Sequence, residues 1–144
     1  NQTFTYDASA KTVTATYGTA TAKKHADTNW TQKQIDDGDA PEGADTDTVA
    51  TRGLKYNLIQ TLKQQAAGIL QDTDWYIVRK ADAGTAVPSA ITTHRAAVRT
   101  KAAEMETAIT NASDTSALET LYTYTEQEDG STTRPLGELP TLES

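Results

Sequence analysis

The sequence predicts an α+β protein: an antiparallel helical hairpin with a short third helix, flanked by an N-terminal and a C-terminal β-hairpin. Three observations carry that prediction. Two long stretches, 54–70 and 89–111, repeat apolar residues every three or four positions, the period of one helix face. Two stretches near the start, 2–6 and 11–17, alternate with period two, the period of a strand. Near the other end Asp129-Gly130 sits between strand-like runs, and both of these residues tolerate positive φ in a tight turn.

The elements follow in order. In the first hairpin Phe4 and Tyr6 share one face of the first strand, and Val13, Ala15 and Tyr17 share one face of the second. Asp7-Ala8-Ser9-Ala10 supplies the turn between them. From Gly18 to Ala50 periodicity is lost. Asp36, Asp37, Asp39, Glu42, Asp45 and Asp47 crowd around Gly38, Pro41 and Gly43, the composition of a loop or linker. Trp30 and Ile35 stand out there as a short helical turn or a sticky anchor, and so acidic a stretch is expected to become ordered by contact with another chain.

Leu54–Leu70 carries Leu54, Leu58, Ile59, Leu62, Ala66, Ile69 and Leu70 on one stripe, with Lys55, Gln60, Lys63 and Gln64 opposite. Thr73-Asp74 reads as a cap opening a short turn with Trp75, Ile77 and Val78. Ser89 reads as the cap that starts the second long helix, whose stripe runs Ile91, His94, Val98, Ala102, Met105 and Ile109. It spans roughly 30 Å, enough to lie along the first. Ser116 and Glu119 read as a capping box for a third, short helix with Leu118 and Leu121 on its apolar side. Tyr122-Thr123-Tyr124-Thr125 and Ser131-Thr132-Thr133 flank the Asp-Gly turn, and the tail from Arg134 to Pro140, with two prolines, is expected to run extended over a surface, a neighbour's among the candidates. The organisation is therefore hairpin 1–17, acidic linker 18–50, helical region 51–121, and hairpin with tail 122–144.

Composition narrows function. The apolar fraction is 36%, low for a compact globule, and 27 threonines fill much of the deficit. So thin a core invites completion by a partner. The net charge of −7 excludes a non-specific nucleic-acid binder, which needs clustered cations, and disfavours docking on anionic membranes. No apolar run approaches the ~20 residues of a membrane span, and the first ten residues lack a signal-peptide pattern. With no cysteine, disulfides and thiolate chemistry are out. His25 and His94 lie far apart without ligand spacing, and no glycine-rich phosphate loop or nucleophile elbow is present. Asp45-Thr46-Asp47 misses the EF-hand pattern and reads as solvated loop. The expectation is a non-enzyme, with no cofactor or metal, that works by binding proteins.

Trp75 is read as a core tryptophan between the long helices, with an interface anchor as the alternative. Arg79, Arg95 and Arg99 follow. Arg95 and Arg99 share a helix face and suit bidentate carboxylate binding, or else form an exposed basic face. With Phe4, Tyr6, Tyr17, Trp30, Tyr122 and Tyr124 they complete the candidate interface residues.

Ile69-Leu70, Thr73-Asp74-Trp75, Arg79, Gly84, Val87-Pro88, His94-Arg95 and Val98-Arg99 resemble a pattern in tail assembly proteins of tailed bacteriophages, a group similar to tail-assembly chaperones with variants in marine cyanophages. The resemblance covers about Leu54 to Arg99. His94 stands where that family commonly has tyrosine, and its Trp-Pro-rich end is replaced here by residues 134–140. It implies a structural phage tail protein near the baseplate or fibre attachment, located in the virion after assembly in the host cytoplasm, with tail or fibre proteins and further copies of itself as partners. A transient tail or tail-fibre assembly chaperone, and a capsid or host-surface binding module, are the alternatives.

Overall fold

A computed structural model describes residues 2–18 and 21–142. Residues 1, 19, 20, 143 and 144, within the expected hairpin, linker and tail, lie outside the described residues. The order is β1 (Gln2–Asp7), β2 (Thr12–Tyr17), β3 (Thr28–Asn29), α1 (Gln32–Asp36), β4 (Val49–Thr51), α2 (Leu54–Gln71), α3 (Asp74–Ala83), α4 (Ser89–Asn111), α5 (Thr115–Tyr122), β5 (Thr125–Glu126) and β6 (Thr132–Thr133). The α+β class is as predicted, with α2 packed on α4 and an antiparallel two-stranded hairpin near each end.

Helix α2 runs antiparallel to α4, and the cross-ties register it. The Lys55 ammonium donates to the Thr110 carbonyl at 2.7 Å, Lys63 pairs with Glu106 at 2.9 Å, and Arg95 reaches the Leu70 carbonyl at 2.7 Å. Each step up one helix is a step down the other. Between them lies the core: Leu62, Met105, Ile109, Ala112, Leu118 and Leu136 are buried together. Ile91, His94 and Val98 extend the buried seam along α4, on the stripe the periodicity marks.

Three expectations about the helical region are corrected. Trp75 is not in the core but 51% exposed, because α3 is a ten-residue helix rather than a short turn and presents Trp75 outward. The cap of α5 is Asp114, not Ser116. The Asp114 carboxylate accepts from the Ala117 amide at 2.8 Å, so the helix starts at Thr115 and ends at Tyr122, leaving β5 to begin at Thr125. At α4, Ser89 is the first helical residue, and Pro88 holds the cap position without a side-chain bond. Trp75→Ala is accordingly expected to cost about 1 kcal/mol or less, the scale of a lost exposed cation–π contact, and a melting scan checks it.

The acidic stretch has more structure of its own than its composition suggests. Thr31 and Gln34 form a capping box that starts α1, and β3 pairs with β4 through a register shift at Thr28/Asn29. Asp45 Oδ1 accepts from the Asp47 amide and the Thr48 hydroxyl, folding its acid into a turn. The segment then closes the start of α2. Asp27 accepts from the Gly53 amide at 2.7 Å, and the Lys24 and His25 carbonyls accept from the amides of Leu54 and Lys55. Helix N-termini carry such unsatisfied donors. The approach is so close that a Cβ on Gly53 would collide with the Ala26 carbonyl group.

The tail packs on its own chain. Leu136 is 2% exposed, its amide donates to the Leu121 carbonyl at 3.0 Å, and it completes the core between the helices. Leu139 follows into a cleft with Gln65, Ile69 and Met105, and Leu142 into one with Ile69, Thr73 and His94. A surface strand is what two prolines imply, but leucines at every third position give the tail an apolar side to bury.

Candidate interaction surface

The β1–β2 hairpin is built locally. Asp7 Oδ1 accepts from the Ser9 amide, the Ser9 hydroxyl and the Ala10 amide, fixing the turn. Lys11 completes it at φ 53°. These bonds, the Ser9 hydroxyl foremost, hold the Asp7 carboxyl below its usual value. The register is unbroken: Phe4 faces Ala15, Tyr6 faces Val13, Thr5 faces Thr14 and Thr3 faces Thr16. Cross-strand partners point to the same side of a ribbon. Phe4, Tyr6, Val13, Ala15 and Tyr17 therefore share one face, and Thr3, Thr5, Thr12, Thr14 and Thr16 with Asp7 share the other. From Thr3 to Gly18 every side chain except that of Ala15 is exposed. A folded protein rarely leaves such a face bare.

A second exposed cluster lies on α3. The Arg79 guanidinium stands 4.7 Å from the Trp75 ring centroid and 5.4 Å from that of Tyr76, and the two rings lie 3.9 Å apart. Ile77 and Val78 are exposed beside it. Sequence reasoning named Trp75 and Arg79 but missed Tyr76, which the adjacent Trp-Tyr pair signals.

Of the other candidates, Arg95 is buried, Trp30 and Tyr122 are half-buried, and Arg99 and Tyr124 are exposed. Arg95 is buried, at 7% exposure, with Nη1 donating to the Leu70 carbonyl and the Thr73 hydroxyl, both at 2.7 Å, and Nη2 2.8 Å from the Asp74 carboxylate. It is a clasp on the α2–α3 corner, not a hand held out to a partner, and only Arg99 of that pair is exposed. Tyr122 packs against the core, and Arg134 lies 5.3 Å from its ring and 5.2 Å from that of Tyr124. Arg134 also grips Glu138 through two nitrogens, each at 2.8 Å, and the Tyr124 hydroxyl donates to Glu138 at 2.6 Å. That bond pushes the Tyr124 hydroxyl above its usual pKa, as burial does for Tyr122. Arg134 went unremarked in the sequence, although a basic residue four before Glu138 is a signal of such a pair. Trp30 is half-buried, its amide bonded to the Thr48 carbonyl.

Two carboxylates tune stability with pH. The Gly53 amide and then Arg52 hold Asp27 below the ordinary 3.8, and the Ala117 amide and then Ser113 do so for Asp114. A folded pKa below the unfolded one contributes stability that is full above about pH 4 and lost as pH falls through the folded value. The amide proton shifts of Gly53 and Ala117 are expected to titrate together below that point in an NMR series, with helix α5 loosening as they do.

Among the described residues no cluster of three or more His, Cys, Asp or Glu is placed to hold a metal ion, and no helix is long and apolar enough to cross a membrane. No family model, no curated protein and no solved structure matches this chain.

Proposed function

We propose that this chain is a non-enzymatic structural protein of a phage tail, near the baseplate or fibre attachment, acting by protein–protein binding. The observation that carries the binding role is the β1–β2 hairpin, whose Phe4, Tyr6, Val13 and Tyr17 are exposed while the helical pair buries its own apolar stripe. The helices and the tail make the scaffold; the hairpin is the docking element. The resemblance over Leu54–Arg99 supplies the tail assignment. Within that stretch Thr73, Asp74 and Arg95 form one bonded corner. Its partners on this reading are other tail or fibre proteins and further copies of itself, its place is the virion, and neither nucleic acid nor membrane is involved.

Mass spectrometry of purified mature particles tests the reading. Stoichiometric presence in tails is the expected result. Presence only in assembling lysates would make the chain a transient assembly chaperone, and presence in heads or isolated capsids a capsid or surface-binding module. Either result overturns the tail reading.

A further inference from the structure

We infer that the occupant of the hairpin's aromatic face is a second copy of this chain, packed ribbon on ribbon about a two-fold axis. The inference rests on the reading of the hairpin as the docking element and names its partner.

Three features favour a second copy. The first is area. Phe4, Tyr6, Val13 and Tyr17 are 68%, 65%, 65% and 73% exposed. With full aromatic areas of about 150–250 Å², these amount to roughly 500 Å² per copy. Two such faces together bury on the order of 1,000 Å², the size at which a specific interface begins. The second is shape. The face is a ribbon with no bulge, a continuous patch that two copies can share about a two-fold axis.

The third is charge. Asp7 and Lys11 cancel within the hairpin, so the net −7 of the chain falls entirely on the remainder. Two copies repel each other everywhere except here. Antiparallel stacking also sends the two acidic bodies to opposite ends of the ribbon. A six-residue strand is about 20 Å long, which exceeds the ~8–10 Å screening length of ordinary buffers. A parallel stack would set the bodies side by side, so the antiparallel one is favoured. At about 0.01 M ionic strength screening reaches ~30 Å and the bodies still repel, so raising salt from there is expected to strengthen the pairing.

Sedimentation velocity on the full chain tests this, beside Phe4→Thr/Tyr6→Thr, whose threonines suit a strand, and Thr5→Lys on the opposite face. The wild type and Thr5→Lys are expected to move from one chain toward two as concentration rises, more so in salt, while the double variant stays at one chain with unchanged helical circular dichroism. A wild type that stays at one chain throughout, or a double variant that pairs as the wild type does, overturns the inference. The cysteine-free sequence gives a second measurement that does not need the double variant to fold. Ala15→Cys, mid-face, is expected to form an intermolecular disulfide several-fold faster than Thr14→Cys behind it, and equal rates overturn the inference. The two claims fail separately. If the wild type does not pair but the double variant is missing from particles, the face docks on a different protein and the hairpin keeps its role. A double variant that enters particles normally removes the hairpin from docking altogether.

Discussion

Arg95→Ala is expected to cost about 3–4 kcal/mol, the loss of two buried hydrogen bonds from a charged donor at about 1.5–3 kcal/mol each. The Leu70 carbonyl, at the C-terminal end of α2, also accepts from the Thr73 amide and hydroxyl, and Arg95 reaches it from α4 at 2.7 Å. The Thr73 hydroxyl, on a residue buried nearly completely, accepts from Arg95 and keeps its own bond to Leu70 when the guanidinium is gone. The cost is therefore that of the two lost bonds, without the ion pair. The ion pair itself is minor, because Asp74 is half exposed and water screens it. Asp74→Asn is therefore expected to lower the melting temperature far less than Arg95→Ala, for which a fall of roughly 6–12 °C corresponds to the energy above at this chain size. Equal falls would transfer the role from the hydrogen bonds to the charge.

Leu136→Ala is expected to be as costly, about 3–4 kcal/mol, within the range for emptying a leucine site. Leu136 is buried against Leu62, Met105 and Ile109, so its removal opens a cavity at the middle of the helix pair. The surroundings have little freedom to close it. The backbone on either side is pinned by the Leu136–Leu121 bond and by Arg134, whose Nε donates to the Gly137 carbonyl at 3.1 Å. Leu142→Ala makes the comparison, since that leucine is nearly half exposed and is expected to cost a fraction as much. Chemical denaturation of both variants, with an unchanged slope, checks the difference.

The helix pair and first hairpin were legible because each buries or displays one face at a fixed period. Leu54 to Leu70 and Ile91 to Ile109 recur at the helical period, and Phe4/Tyr6 with Val13/Ala15/Tyr17 at the strand period. The tail was not legible, because Pro135 and Pro140 exclude a sheet interior yet are silent on whether an extended chain packs on its own helices. Trp75 was misplaced because its neighbours Ile77 and Val78 spread apolar area around α3 instead of along one stripe. The stretch before α2 was read as linker because it is ordered by caps and turns, which apolar periodicity does not register. Its Thr31-to-Gln34 spacing was the one local sign. For the surface, the hairpin aromatics were found by alternation, whereas the inward roles of Arg95 and Tyr122 depend on a backbone carbonyl and on Arg134, contacts between segments far apart in the chain.

The placement of Leu136 has a consequence for synthesis. On the ribosome Leu62 appears 74 residues before the leucine that covers it. At about 5–20 residues per second that delay is roughly 4–15 s. Throughout it α2 and then α4 are out with the middle of their shared seam open, exposed to nascent-chain chaperones and to neighbouring chains on the same message. A chain halted anywhere between α5 and the tail holds both long helices and still lacks the residue that closes them.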